Sequence, residues 1–164
     1  MQEERYISAP DTEAAHARAA ALFDRVRARL QAVLPASVTI QHVSATAVPG
    51  CLTKGDLDIV VRVLDVDFAQ VDSILQSMFT RNLGSVRLAD FAAFEDPGSD
   101  PPLGVQLTTI GGTFDDFHRL VDVLRNGPAV LAQYNSLKRA YDGRPMDEYR
   151  AAKDRFLAAV LTPR

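Results

Sequence analysis

The sequence predicts an α/β or α+β fold: a mixed β-sheet flanked by helices, with a helical C-terminal part. Three observations predict it. Short runs at Val38–Val43, Leu57–Leu64 and Gly104–Ile110 alternate or are continuously apolar, as strands are. Between and after them, apolar residues recur at helical spacing. Pro, Gly, Asn and Asp fall at the joints. With 164 residues, 47% of them hydrophobic, the chain is expected to form one domain, 1–164, with a substantial core.

Taken in order, Tyr6–Pro10 reads as a short lead-in. Ser8 and Asp11 have the spacing of a helix-capping box, and Pro10 is tolerated in a first turn. The helix behind them carries an apolar stripe of Ala15, Ala19, Leu22, Phe23, Val26, Leu30 and Val33, and Pro35 ends it. A strand over 38–43 places Val38, Ile40 and His42 on one face. After the strand beginning at Leu57, Asp65 or Asp67 can cap a helix through Phe68, Val71, Leu75, Met78 and Phe79, closed by Asn82-Leu-Gly84. A strand is expected over 86–94, a loop over 95–102 and a strand over 104–110. Thr113 and Asp116 form a second capping-box pattern ahead of Phe117, Leu120, Val121 and Leu124. Asn126-Gly-Pro128 separates that helix from one running to about Tyr141. Asp142-Gly143 and Pro145 introduce a last helix containing Tyr149, Phe156, Val160 and Leu161.

A net charge of −3 argues against broad nucleic-acid binding, which needs a basic footprint. The charge is uneven. Ser85–Asp122 holds seven acidic and two basic residues, whereas Tyr134 to the end holds seven basic and four acidic. A basic C-terminal layer beside an acidic centre suits an anionic substrate; a solvated helix face is the plainer reading. The single Cys51 excludes an intrachain disulfide and a multi-Cys zinc site. No apolar run approaches the ~20 residues that span a bilayer, and nothing resembles a signal peptide, so a cytoplasmic location is expected.

The chemistry concentrates at 42–64. A small-residue turn, Ser44 to Gly50, leads to Asp56-Leu57-Asp58 at the mouth of an apolar strand. Alternation puts Asp56 and Asp58 on one face and Leu57, Ile59, Val61 and Val63 on the other. Two carboxylates so placed can hold Mg²⁺ ions about 3.5–4 Å apart for phosphoryl transfer. Alternatively they cap a turn or meet a nearby Lys. Lys54 precedes the pair and can offer its charge to phosphate, as can Lys138, Arg139 and Lys153. His42, beside Val38 and Ile40, reads as a hydrogen-bonded, partly buried histidine rather than a ligand.

The stretch His42-Val-Ser-Ala-Thr-Ala-Val-Pro-Gly50 resembles the signature of the GrpB family, assigned to the DNA polymerase β-like nucleotidyltransferase superfamily. That signature reads Glu/Gln-His-Val-Gly-Ser-Thr-Ala-Val-Pro-Gly, then a Lys, then an Asp entering an apolar strand. Gln41 to Gly50, Lys54 and Asp58 fall on it. Phe117 to Arg125, Pro128, Tyr134-Asn-Ser-Leu-Lys138, Tyr149, Lys153 and Phe156 extend the likeness nearly to the end; about 80–104 matches poorly.

The resemblance implies a nucleotidyltransferase-like fold and a metal-dependent transfer from a nucleoside triphosphate to an unknown acceptor. It places Mg²⁺ (or Mn²⁺) on Asp56 and Asp58, and phosphates near Ser44, Ala45, Thr46, Lys54 and Lys138. Two departures stand out. The family's Gly-Ser is Ser44-Ala45 here, which removes the backbone freedom of Gly. The third carboxylate of such sites is wanted on the strand over 104–110, where Gln106 or Thr108 stands; Asp90 and Glu95 are the fallbacks. A binding module for a nucleotide or another phosphorylated small molecule, with weakened turnover, is the second expectation. A structural or interaction protein is the third.

Overall fold

The computed structural model describes residues 2–162. Its core is a five-stranded mixed sheet in the order β1-β2-β5-β4-β3, built from β1 (Thr39–Val43), β2 (Leu57–Val63), β3 (Thr80–Arg81), β4 (Phe91–Asp96) and β5 (Leu103–Thr109). Only β2 and β5 run parallel; the other neighbours are antiparallel. The helices are α1 (Thr12–Val33), α2 (Phe68–Met78), α3 (Phe117–Asn126), α4 (Pro128–Tyr141) and α5 (Met146–Leu161). The sheet flanked by helices, and the helical C-terminal part, are as expected from sequence.

The two faces of β2 explain the layering. Leu57, Ile59, Val61 and Val63 are all buried against Leu22, Val26 and Leu30 of α1 and Val71 and Leu75 of α2. Val60, on the opposite face, packs with Val121 and Leu124 of α3 and Tyr134 of α4. Alternation therefore sends Asp58 towards the C-terminal helices. Tyr6 is sewn to the turn between α4 and α5: its N–H donates to the Arg144 carbonyl at 2.9 Å, and its carbonyl accepts from Gly143 at 2.7 Å. Its ring stacks on Tyr149 at 3.9 Å.

Several boundaries differ from the sequence reading. Asp11, not Ser8, caps α1, its carboxylate accepting from Ala14 N–H. Asp67 precedes α2, but its carboxylate accepts from the Ser37 hydroxyl rather than capping the helix. That helix stops at Met78, and Thr80–Arg81 peel off to pair with β4. The strand expected over 86–94 begins only at Phe91 and runs to Asp96, entering the expected loop, because pairing with β5 sets its register. The Thr113–Asp116 box does not form. Asp90 takes both the N–H and the hydroxyl of Thr113 at 2.8 Å, and Asp116 pairs with Arg119. A partner distant in sequence has won over the local cap.

Candidate functional site

The turn before β2 is held from three sides. A 3-10 turn over Ala45–Ala47 is closed by Val48 N–H donating to Ala45 O, and Arg125 of α3 donates twice to Ala47 O, at 2.7 and 3.0 Å. Asn135 of α4 donates to Gly50 O at 3.0 Å and accepts from Leu52 N–H at 2.9 Å. His16 of α1 is bonded to Cys51 O at 2.8 Å. Ser44 opens the turn at φ 65°, ψ −166°, a conformation that favours glycine. The backbone shape of a Gly is thus retained at the position where the family signature has one. Gly55, at φ 105°, gives the chain the sharp bend that delivers Asp56.

Thr46 is inside this scaffold. It is buried, its hydroxyl donates to Asp56 O at 3.0 Å, and it accepts from His42 Nε2 at 2.8 Å. Because the hydroxyl proton goes to the carbonyl, His42 carries its proton on Nε2. Burial, reinforced by His16 and Arg125, pushes the His42 pKa down to about 4. His42 is therefore the hydrogen-bonded histidine expected from sequence, and with Thr46 it positions the Asp56 backbone.

A cavity of about 310 Å³ opens beside the turn, and Ser44, Ala45, Lys54, Asp56, Asp58 and Lys138 all line it; Thr46 does not. Tyr6, Tyr134, Tyr149 and Lys153 join them. Lys54 Nζ lies 3.4 Å from an Asp56 oxygen. The Asp58 pKa is raised to about 6, first by burial and then by the Asp56 charge; Lys153 and hydrogen bonds from Ser44 and Gln106 oppose the rise.

Lys138 is 3% exposed. Its ammonium donates to the Tyr149 hydroxyl at 2.8 Å and lies 4.5 Å from the Tyr134 ring centroid, 5.3 Å from that of Tyr149 and 5.4 Å from that of Tyr6. The three rings offer cation–π stabilisation but no full negative charge. Burial pushes the Lys138 pKa down to about 8, and burial also lowers that of Lys153.

The third carboxylate is missing from this arrangement. Directly across from Asp58 on β5 is Gly104, and Gln106 sits beside the Asp58 carboxylate. Asp90 is occupied by Thr113. Glu95 pairs with Gly104 from the far side of β5 and does not line the cavity. Among the described residues, no group of three or more His, Cys, Asp or Glu is placed to hold a metal. Asp56 and Asp58 both line the cavity, and one or two carboxylates are what a Mg²⁺ ion takes when water and ligand phosphates complete its shell. Cys51 is buried and does not line the cavity, and burial raises its pKa.

Tyr6, Tyr134, Tyr149 and Gly104 were not read from sequence as site residues. A signal for two of the aromatics existed. Tyr134 and Lys138 on α4, and Tyr149 and Lys153 on α5, repeat one Tyr/Lys pair a helical turn apart, which puts each pair on one face. Nothing in the sequence connects Tyr6 to these helices.

Comparison with known proteins agrees with this architecture. The chain is 28% identical over 141 residues to a UPF0157 protein of Vibrio cholerae, covering 85% of this chain and 74% of that one. It is 29% identical over 149 residues to a UPF0157 protein of Streptomyces coelicolor, covering 88% and 78%. The crystal structure of the conserved protein GrpB from Enterococcus faecalis superimposes with a TM-score of 0.57 at 16% identity, covering 86% of each chain. The family described as GrpB protein matches residues 13–162, which takes in the turn, the Asp pair and both Tyr/Lys helices. The chain belongs to the GrpB family.

Proposed function

We propose that the cavity binds a nucleoside triphosphate with Mg²⁺ (or Mn²⁺) and transfers its nucleotidyl group to an acceptor. One observation carries this reading: the turn, the Asp pair and three lysines from separate parts of the chain converge on one cavity. A site that collects two carboxylates and three ammonium groups suits a phosphate chain accompanied by a cation. The GrpB signature and its superfamily assignment supply the reaction class.

In this reading Asp56 and Asp58 hold the metal, which supplies charge neutralisation at the phosphates and polarises the phosphorus–oxygen bonds. Ser44 orients the Asp58 carboxylate, and Thr46 with His42 fixes the Asp56 backbone. Lys54, released from Asp56, and Lys138 neutralise phosphate oxygens. Ala45 leaves room for the ligand at the turn. No helix among the described residues is long and apolar enough to cross a membrane.

The absent third carboxylate favours a second reading, a module that binds the same ligand with little turnover. Titration calorimetry with Mg²⁺ and a non-hydrolysable nucleoside triphosphate tests the binding common to both, and no heat with any nucleotide overturns both. Asp58→Asn then separates them. Loss of product formation supports transfer, whereas unchanged ligand affinity without product in either protein supports the module.

A further inference from the structure

The cavity has two unlike halves. One holds the Asp pair and the lysines. The other is a wall made of Phe114, Phe117, Leu120 and Leu124 from the α3 region and Leu157 and Leu161 from α5. This wall is reached from the cavity and is incompletely covered: Phe114 is 39% exposed, and Phe117, Leu120, Leu157 and Leu161 are only partly buried. None of the six side chains can donate or accept a hydrogen bond. Asp116, which lines the cavity between Phe114 and Phe117, is paired with Arg119 at 2.8 Å, and the hydroxyls of Tyr149 and Tyr6 are engaged by Lys138 and Ser8. A polar edge pressed against such a wall would lose its water partners and gain none, whereas an apolar group would gain from leaving water. Lys153 joins the two halves, lining the cavity one helical turn before Leu157 on α5.

We propose that this half is the acceptor subsite and takes an amphiphile: an anionic head at Lys153, and an aliphatic or other apolar tail along the Phe114–Leu161 wall. The inference rests on the proposed reading for its phosphate-binding half and adds the class of the second substrate. Charge and apolar surface are continuous in one cavity, so head and tail bind as one molecule. The wall reads size and apolarity rather than hydrogen-bonding pattern, so affinity follows tail length until the wall is covered.

Calorimetry with methyl, butyl and hexyl phosphate, and separately with Mg²⁺ and a non-hydrolysable nucleoside triphosphate, tests this. The expected result is that hexyl phosphate binds at least about tenfold more tightly than methyl phosphate, since each buried methylene adds to affinity. Phe114→Ser and Leu157→Ser should erase that gain and leave methyl phosphate affinity unchanged, which also shows that the variants are folded. Equal affinity along the alkyl series, or a gain that survives both substitutions, overturns the amphiphile subsite whatever the nucleotide does. Alkyl phosphate binding with no response to any nucleotide overturns the nucleotidyl reading and leaves the subsite standing. Silence towards every phosphate overturns both.

Discussion

Asp58 and Gly104 face each other across the parallel pair β2–β5, and a Cβ at position 104 would stand 2.7 Å from the Asp58 carboxylate oxygen. The same Cβ would come within 3.3 Å of the Gln106 side-chain nitrogen. The missing side chain is the space the carboxylate occupies. Gly104→Ala should therefore cost about 1–3 kcal/mol of stability through local overpacking. It should also turn Asp58 away from the cavity and remove its share of metal binding. Urea melts and Mg²⁺ titration check the two effects together.

Asp58 should make stability pH-dependent in the metal-free protein. Its pKa rises from the ordinary 3.8 to about 6 on folding, so between these values the folded state holds the extra proton. Stability then falls as pH climbs from about 4 to about 6, and the penalty, up to about 3 kcal/mol, persists above. Asp58→Asn should flatten that limb of the curve. Denaturant midpoints from pH 4 to 7 compare the two proteins.

Lys138 is a buried cation held at a cost in stability. Its pKa falls from 10.5 to about 8 on folding, so the unfolded chain holds the proton more tightly. The penalty is full below pH 8 and is relieved as pH rises towards 10.5. Lys138→Met should keep or raise stability at pH 7 and lose roughly tenfold in pyrophosphate affinity, as expected when a charge-assisted contact is removed. Calorimetry at pH 7 and 9 gives the check, because wild-type affinity should decline over that interval as the cation is lost.

Ser44 combines strain with a useful hydroxyl. Its φ of 65° is relieved in Ser44→Gly, which should gain about 1 kcal/mol on the backbone term. Loss of the hydroxyl next to Asp58 should at the same time raise that carboxyl's pKa further. Carboxyl NMR titration alongside thermal melts separates the two contributions.

Thr46→Val should destabilise by about 1–3 kcal/mol, since it leaves the part-buried Asp56 carbonyl and the His42 N–H without their partner. Ligand affinity should fall although Thr46 does not line the cavity. A variant with unchanged stability and a selective loss of phosphate binding would instead make Thr46 a direct contact.

Much of the candidate site was legible because its residues follow strand and turn rules. Alternation alone places Asp58 opposite the Leu57–Val63 core face, and the small-residue run before it marks a turn. Lys138 and Lys153 were visible as cations but not as neighbours of one cavity. Asp90 was a reasonable fallback carboxylate on sequence grounds, yet its hydrogen bonds to Thr113 take it out of the site. The strand boundary at Phe91 was similarly hidden, because it depends on pairing with β5 rather than on local apolar pattern.

The sequence by itself determined the layers: a two-residue period at β2 and helical periods in α1 to α5 dictate which faces seek the core. It also carried the family signature through 41–58 and on to Phe156. Tertiary structure decided what meets across those faces. Register put Gly104 rather than a carboxylate opposite Asp58, and helix docking closed Tyr6, Tyr134 and Tyr149 around Lys138. The physical reason is range. Periodicity is a local property of the chain, whereas register and docking depend on packing between segments as much as 143 residues apart, as with Tyr6 and Tyr149.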